Sequence, residues 1–182
     1  AGLHIYVREG SGAKNLETLI KTMLDAGVCL DRCAFCTDDK HVEEIRKEGH
    51  ISTCIRKAIA LGVPVAKAYK MGSYQAAEFY GLKNYGAIGA GYRADIVFLD
   101  DLEQVRPLDV MKDGRILTEE DYAKDYSVPV PDELLHTVHV GEVTKDKIRL
   151  SCDGKTDVIQ MNPHQIVTTH LIEEVPTENG YF

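Results

Sequence analysis

Two sets of side chains that could do chemistry lie within one short stretch of the sequence. Cys29, Cys33 and Cys36 stand at the spacing C-x3-C-x2-C, and three thiolates on one loop can hold an iron–sulfur cluster. Asp38 and Asp39 follow directly, and paired carboxylates after a strand can bind a divalent metal and accept a proton from water. The secondary structure around each set decides which chemistry is feasible.

The elements around the cysteines favour packing over metal binding. Residues 14–27 place apolar side chains at helical spacing and end in Gly27, so a helix cap precedes the first cysteine. The apolar run 29–37 predicts a short buried strand, in which side chains three residues apart point to opposite faces. Although the spacing resembles that of radical-SAM enzymes, we expect the three cysteines to be small buried hydrophobes and Cys54 and Cys152 to be structural.

Composition and charge narrow the class of protein. The chain has 182 residues, of which 44% are hydrophobic and 27% are charged, as is ordinary for a globular protein. A net charge of −8 argues against binding of nucleic acid, because the phosphate backbone selects a positive surface. No apolar run approaches the ~20 residues that a membrane helix needs, so we expect no membrane association. Five cysteines without a recognisable signal peptide favour a cytoplasmic location.

The order of elements predicts a parallel β/α arrangement. Residues 3–9 are β-branched and aromatic, which is typical of a strand, and the helix 14–27, the strand 29–37 and several further helices follow. In a β/α barrel the active site lies at the carboxyl ends of the strands. Asp38 and Asp39 occupy that position after the second strand, although an aspartate there could also simply cap the next helix.

Polar residues also follow the first strand. Arg8, Glu9 and Ser11 occupy the position equivalent to that of the two aspartates. An ion pair and a turn would account for them without any function. Because the carboxyl ends of neighbouring parallel strands meet at one edge, however, the two polar segments together favour a site there.

The residue pattern of the sequence changes near residue 84. Glycine turns and short apolar runs follow, and Asp113-Gly114 between two such runs predicts a β-hairpin. We therefore divide the chain into residues 1–83, 84–118 and 119–182. In the last region the pattern predicts strands at 147–151, 157–161 and 165–175.

Several separated motifs resemble a known family. The stretch "GSYQAAEFYGLKNYGAIGAGYRADIVFLD" is similar to the segment that ends the barrel in the amidohydrolase superfamily. Together with "REGSGAKN", "CTDDKHVEEIRKEGHI" and "VMKDGR", it resembles the C-terminal portion of the adenine deaminases. The resemblance implies an α/β fold: the C-terminal part of a metal-dependent (β/α)8 amidohydrolase barrel, then a β-sandwich segment and the start of a further α+β region.

The same resemblance implies an activity and a site. Adenine deaminases convert adenine to hypoxanthine and ammonia with a metal-activated hydroxide, in purine salvage, and their divalent metal is manganese or iron. By likeness, Asp38 would be the eighth-strand aspartate that binds the metal and moves the proton. Asp39, Arg8, Glu9 and Ser11 match family positions around the purine, and so are the expected substrate-binding residues.

Departures from the family pattern leave alternatives open. The seven histidines show no His-x-His spacing, so Asp38 is the one convincing metal ligand, whereas a catalytic metal usually has about three. We therefore expect a piece of a longer polypeptide that is inactive by itself. The alternatives are another amidohydrolase acting on a nucleobase-like cyclic amide or amine, and a non-catalytic assembly fragment. The expected partners are a small-molecule purine and, because unpaired strand edges associate, a second copy in a homo-oligomer.

Overall fold

The computed structural model describes residues 2–124, 127–152, 154–163, 165–177 and 180–181. Its contacts group the chain into two compact units. Unit 1 comprises Ala1–Tyr122 with Pro163–Ile166, and unit 2 comprises Ala123–Asn162 with Val167–Phe182. The boundaries predicted near residues 84 and 118 stay a prediction.

Unit 1 opens with two strands and a layer of helices. α1 packs on β1, and α3, α4 and α5 contact β2, so the helices shield the two strands. In chain order the elements are β1 (Ile5–Arg8), α1 (Leu16–Asp25), a 3-10 helix (Leu30–Arg32), β2 (Cys33–Cys36), α2 (Val42–Glu48), α3 (Ile51–Ala60), α4 (Val65–Gly72) and α5 (Tyr74–Phe79).

The pairing of β1 with β2 is parallel. Ile5 lies opposite Cys33 and Arg8 lies opposite Cys36, so both strands end at the same edge. The crossover helix ends as the sequence predicts, in a turn where Gly27 has φ +61°, a conformation that glycine adopts without strain. The strand predicted over 29–37 is shorter, because its first residues form the 3-10 helix.

A three-stranded antiparallel sheet follows in unit 1. It consists of β3 (Ile96–Leu99), β4 (Pro107–Lys112) and β5 (Arg115–Ile116) in that order. The predicted hairpin at Asp113-Gly114 is confirmed, and both residues have the positive φ that a tight two-residue turn requires. α6 (Glu119–Ala123) comes directly afterwards.

The core of unit 1 lies between the parallel strands and the helices. Fully buried side chains come from β1, β2, α1, α3 and α4, and their removal from water is the main favourable term in folding. These core residues are Val7, Leu16, Ile20, Cys33, Cys54, Ala58, Ala68 and Met71.

Unit 2 is built around one antiparallel hairpin. β6 (Lys155–Met161) pairs with β7 (Thr168–Glu174), as two of the predicted strands require. The strand predicted at 147–151 is wrong: α8 (Lys145–Ile148) takes its first two residues, and β6 pairs with β7 instead. A further short helix, α7, spans Asp132–Leu135.

A buried glutamine joins the helical layer to the start of β2. Gln75 in α5 is 3% exposed, and its Nε2 donates to the carbonyl oxygens of Leu30 at 2.8 Å and Cys33 at 2.9 Å. These carbonyls belong to the 3-10 helix and to the first residue of β2. Gln75 therefore fixes the point at which the chain enters the strand.

Substitution of this glutamine should destabilise the protein. Gln75→Ala removes two buried hydrogen bonds and opens a cavity, so we expect a loss of about 2–4 kcal/mol in the free energy of unfolding. Gln104→Ala, at an exposed glutamine, is the matched control and should change it by less than about 0.5 kcal/mol. Urea unfolding measures both, and equal effects would contradict the bridging role of Gln75.

Candidate active site

Polar side chains cluster at the common carboxyl end of β1 and β2. Arg8 is the last residue of β1, and the backbone N–H of Glu9 continues the pairing by donating to the carbonyl of Cys36 at 3.0 Å. Asp38 and Asp39 follow β2 after a single threonine. The parallel register thus brings together the two polar segments that the sequence places after separate strands.

An arginine and two aspartates make direct contact at this edge. Arg8 Nη2 lies 2.6 Å from Asp38 Oδ2 and 3.1 Å from Asp39 Oδ1. We call Arg8, Asp38 and Asp39 the strand-end cluster. The side chain of Asp38 is half-exposed, at 49%, and its backbone has φ +49°, a left-handed conformation that aspartate tolerates better than most residues. Its carboxylate is therefore open to solvent at a tight turn.

Asp39 is held by the loop that follows β1. The backbone N–H of Gly12 donates to Asp39 Oδ2 at 3.0 Å. That N–H and the Arg8 guanidinium hold the pKa of Asp39 below its ordinary value, against a smaller opposing effect of burial. A Cβ at Gly10 would overlap Asp39 Oδ1, so this glycine makes the space that the carboxylate occupies.

The other two predicted site residues have protein partners. Glu9 is 4% exposed, and its Oε1 accepts from Lys57 Nζ at 2.6 Å. Ser11 Oγ lies 2.5 Å from Glu44 Oε2 and accepts from the backbone N–H of His41 at 2.9 Å. Both side chains therefore tie the loop after β1 to the helices α2 and α3.

Two further contacts next to the strand-end cluster were not predicted from the sequence. The side chain of Lys40 is 1% exposed and lies 2.8 Å from Glu48, whose pKa it lowers. Thr37 Oγ1 and His50 Nε2 lie 2.8 Å apart. Both contacts secure the turn that carries Asp38. No short sequence motif indicates either contact, because the partners are eight and thirteen residues apart in the sequence.

The described residues do not form a complete metal site by themselves. Among the residues that the structure describes, no group of three or more His, Cys, Asp or Glu side chains is placed to hold a metal ion. A catalytic metal usually takes about three protein ligands. The half-exposed Asp38 carboxylate suits a hard divalent cation as one ligand, and the remaining ligands of a complete site would be additional to these residues.

An apolar cavity of about 430 Å³ lies elsewhere in unit 1. Residues of α3, α4, β3 and the loop before β4 line it, including Ile55, Tyr69, Leu99 and Val105. The strand-end cluster does not contribute to its wall. The cavity is therefore separate from the candidate active site.

The cysteines divide between core and surface. Cys33 and Cys54 are buried in the core, which confirms their predicted packing role, and burial raises the pKa of Cys33 and raises that of Cys54 to about 12. Cys29 was predicted to be buried but is exposed, because it precedes the 3-10 helix instead of lying in β2. Cys36 is partly buried at the end of β2.

A model of the Amidohydrolase family matches residues 3–117. The match spans more than half of the chain and includes both parallel strands and the antiparallel sheet. The chain therefore belongs to the Amidohydrolase family.

Within the described residues, no helix is both long and apolar enough to cross a membrane.

Relatives named adenine deaminase support a likeness more specific than the family. The adenine deaminase of Desulfitobacterium hafniense is 38% identical over 182 residues, which cover 100% of this chain and 32% of that protein. The adenine deaminase of Methylobacterium nodulans is 39% identical over 181 residues, which cover 98% of this chain and 31% of that protein. The resemblance read from the motifs is thereby confirmed. The chain spans about a third of the length of these curated relatives.

A solved structure shares the fold. The β-aspartyl dipeptidase of Fervidobacterium islandicum superposes with a TM-score of 0.50 at 19% sequence identity. The superposition covers 70% of this chain and 36% of the dipeptidase. At this identity the likeness concerns the fold alone.

Thiol reactivity should separate the core cysteines from the exposed one. At pH 8 the Cys54 thiol, with its pKa near 12, is protonated and buried, so we expect alkylation at least about a hundredfold slower than at Cys29. Iodoacetamide labelling followed by peptide mass spectrometry measures the rates. Labelling in urea, where all five thiols should react, is the control. Equal rates in the folded protein would contradict the burial of Cys54.

Proposed function

We propose that this chain carries the eighth-strand part of an active site that hydrolyses adenine to hypoxanthine and ammonia, a reaction of purine salvage. The observation that supports it most is the half-exposed Asp38 carboxylate, held at the end of β2 beside Arg8 and Asp39. The similarity to proteins named adenine deaminase extends over the whole chain, including these residues. As the chain spans about a third of those relatives, we propose that it is inactive by itself.

The proposed setting is a (β/α)8 barrel with an adjoining β-sandwich. β1 and β2 would be its seventh and eighth strands, since they are parallel, joined by a crossover helix and covered by helices on one side. The antiparallel sheet β3–β5 would belong to the β-sandwich segment, and unit 2 to the start of the α+β region. The family match and the fold likeness support this arrangement.

Asp38 has two roles in the proposed reaction. It would be one ligand of a divalent cation, manganese or iron, which would supply hydroxide at neutral pH by lowering the pKa of water. Asp38 accepts the proton that water loses as its oxygen attacks the purine C6, and it returns that proton to the departing amine nitrogen. The new C6–O bond replaces the C6–N bond to the amine. One proton of the water leaves with the ammonia and the other ends on the ring nitrogen N1 of hypoxanthine, so the atoms balance.

The neighbouring residues bind the purine or support those that do. We assign Asp39 and Arg8 to direct contact with substrate, because both are partly exposed beside Asp38. Glu9 and Ser11 are engaged by Lys57 and Glu44, so we assign them to holding the loop that shapes the pocket. A cytoplasmic homo-oligomer acting on a small-molecule purine remains part of the proposal.

Loss of the Asp38 carboxylate should abolish turnover. In the gene product at its full natural length, loaded with manganese, we expect Asp38→Asn to lower kcat for adenine by about 10²–10⁴-fold, because the proton acceptor is removed. Conversion of adenine to hypoxanthine is followed by ultraviolet absorbance. Asp113→Asn is the matched control: Asp113 also has a positive φ and an arginine partner, but lies in the β4–β5 hairpin.

The possible outcomes separate the candidate functions. Full activity in Asp38→Asn would move the proton transfer to another residue. If the unaltered protein does not act on adenine, a panel of cytosine, other purines and cyclic amides tests for a different amidohydrolase. No turnover of any of them would favour a non-catalytic assembly role.

A further inference from the structure

Four cationic residues line one cleft of unit 1. The cleft has a volume of about 410 Å³ and lies between the end of α2, the first turns of α3 and the loop before β4. Arg46 and Lys47 belong to the last turn of α2, Arg56 to α3, and Arg106 to the loop. Three separate segments of a chain with a net charge of −8 thus bring positive charge to one place.

The positive charge of this cleft is largely uncompensated. Glu48, the acidic residue of its wall, lies 2.8 Å from Lys40, which is not part of the wall. In the part of the chain that the structure describes, neither Arg46 nor Lys47 makes an ion pair. The cleft therefore attracts anions.

Arg56 joins the two walls of the cleft and keeps its charge. Its guanidinium donates to the carbonyl oxygens of Gln104 at 3.0 Å and Glu48 at 2.7 Å. Both acceptors are neutral, and a third hydrogen bond, to Thr53 Oγ1 at 3.3 Å, leaves at least two of the five N–H donors. An anion in the cleft would meet a guanidinium that is already held in place.

The residues of the wall favour a phosphate ester over other anions. Three of the four cations are arginines, whose planar fork matches two oxygens of a phosphate group, and a phosphate monoester carries close to two negative charges at neutral pH. Ile45 and Pro107 also line the cleft, so an organic group on the phosphate has apolar surface to contact. The acidic chain as a whole disfavours a long polyanion such as nucleic acid.

We propose that this basic cleft, lined by Arg46, Lys47, Arg56 and Arg106, is a second binding site of the protein, for a small organic phosphate monoester. Arg46, Lys47 and Arg106 bind the phosphate oxygens, while Arg56 holds the walls together and adds its charge. The inference goes beyond the proposed hydrolysis of adenine and does not depend on it.

Calorimetric titration tests the basic cleft directly. Ribose 5-phosphate is titrated at low salt into the gene product at its full natural length, with ribose as the uncharged comparison. We expect saturable binding of ribose 5-phosphate and none of ribose. Sodium chloride at about 0.5 M should weaken the binding strongly, because exposed charges are screened.

Removal of two of the cations should weaken this binding. Arg46 and Arg106 are exposed, and the ion pair of Arg106 with Asp100 is long, at 4.0 Å, so their replacement should leave the fold intact. We expect Arg46→Gln combined with Arg106→Gln to raise Kd by about tenfold, as two exposed charge contacts of about threefold each. Arg32→Gln combined with Arg149→Gln is the matched control: it removes two exposed arginines elsewhere and should leave Kd unchanged.

Four other results would overturn the assignment. The site does not exist if the unaltered protein does not bind ribose 5-phosphate, or if the cleft variant binds it with the same Kd. Equal weakening in both double variants would reflect net charge and not the cleft. Inorganic phosphate binding as tightly as ribose 5-phosphate would show that the organic group is not recognised. If the cleft variant does not fold, Lys47→Gln, at an exposed residue of the same cleft, replaces it with an expected rise of about threefold.

Asp38→Asn separates this site from the candidate active site. It should bind ribose 5-phosphate as the unaltered protein does, because Asp38 does not line the basic cleft. Loss of binding in Asp38→Asn would place the ligand at the strand-end cluster and overturn the second site. Normal binding without any turnover of adenine would support the basic cleft while the proposed reaction fails.

Discussion

The parallel pairing of β1 with β2 is the constraint on which the candidate site depends. The register places Arg8 opposite Cys36, so the guanidinium reaches the two aspartates just beyond the end of β2. A slip of one residue would reverse the faces of every side chain in the shifted strand. The core residue of that strand, Val7 in β1 or Phe35 in β2, would then face away from the helices. The hydrophobic core and the charged cluster therefore specify the same register.

The turn after β2 shows how a polar site is supported from below. Asp38 adopts a left-handed conformation, which is sparsely populated outside glycine, asparagine and aspartate. A hydrogen bond from the Lys40 N–H to the Thr37 carbonyl at 3.2 Å closes the turn. The ion pair of the buried Lys40 side chain with Glu48 and the contact of Thr37 with His50 fasten it to α2 and to the start of α3. Local conformation and tertiary contacts together keep the carboxylate at the surface.

The sequence predicts the parts of this arrangement that depend on local pattern. The helical spacing before Gly27 predicted α1, and the Asp113-Gly114 pair predicted the β4–β5 hairpin; the structure contains both. The polar residues after the two strands were placed at one edge, because parallel strands end together. Long-range pairing is not visible in spacing, and so Lys40 with Glu48 and Glu9 with Lys57 appear only in the folded chain. The exposed Cys29 was missed for a related reason: an apolar run does not reveal where a 3-10 turn replaces a strand.

Gly10, in the loop after β1, leaves the space that the Asp39 carboxylate occupies, and so affects the charges of the strand-end cluster. Its φ is not in the left-handed region, so the need here is for space rather than for backbone freedom. One added methyl group would overlap Asp39 Oδ1 and lie 3.3 Å from the Thr37 carbonyl oxygen. The displaced Asp39 would leave Arg8 with Asp38 as its remaining carboxylate, and the two would pair more strongly. A residue that carries no charge would thus shift the cluster towards the Arg8–Asp38 ion pair, so variation at this position is limited by the space that the Asp39 carboxylate needs.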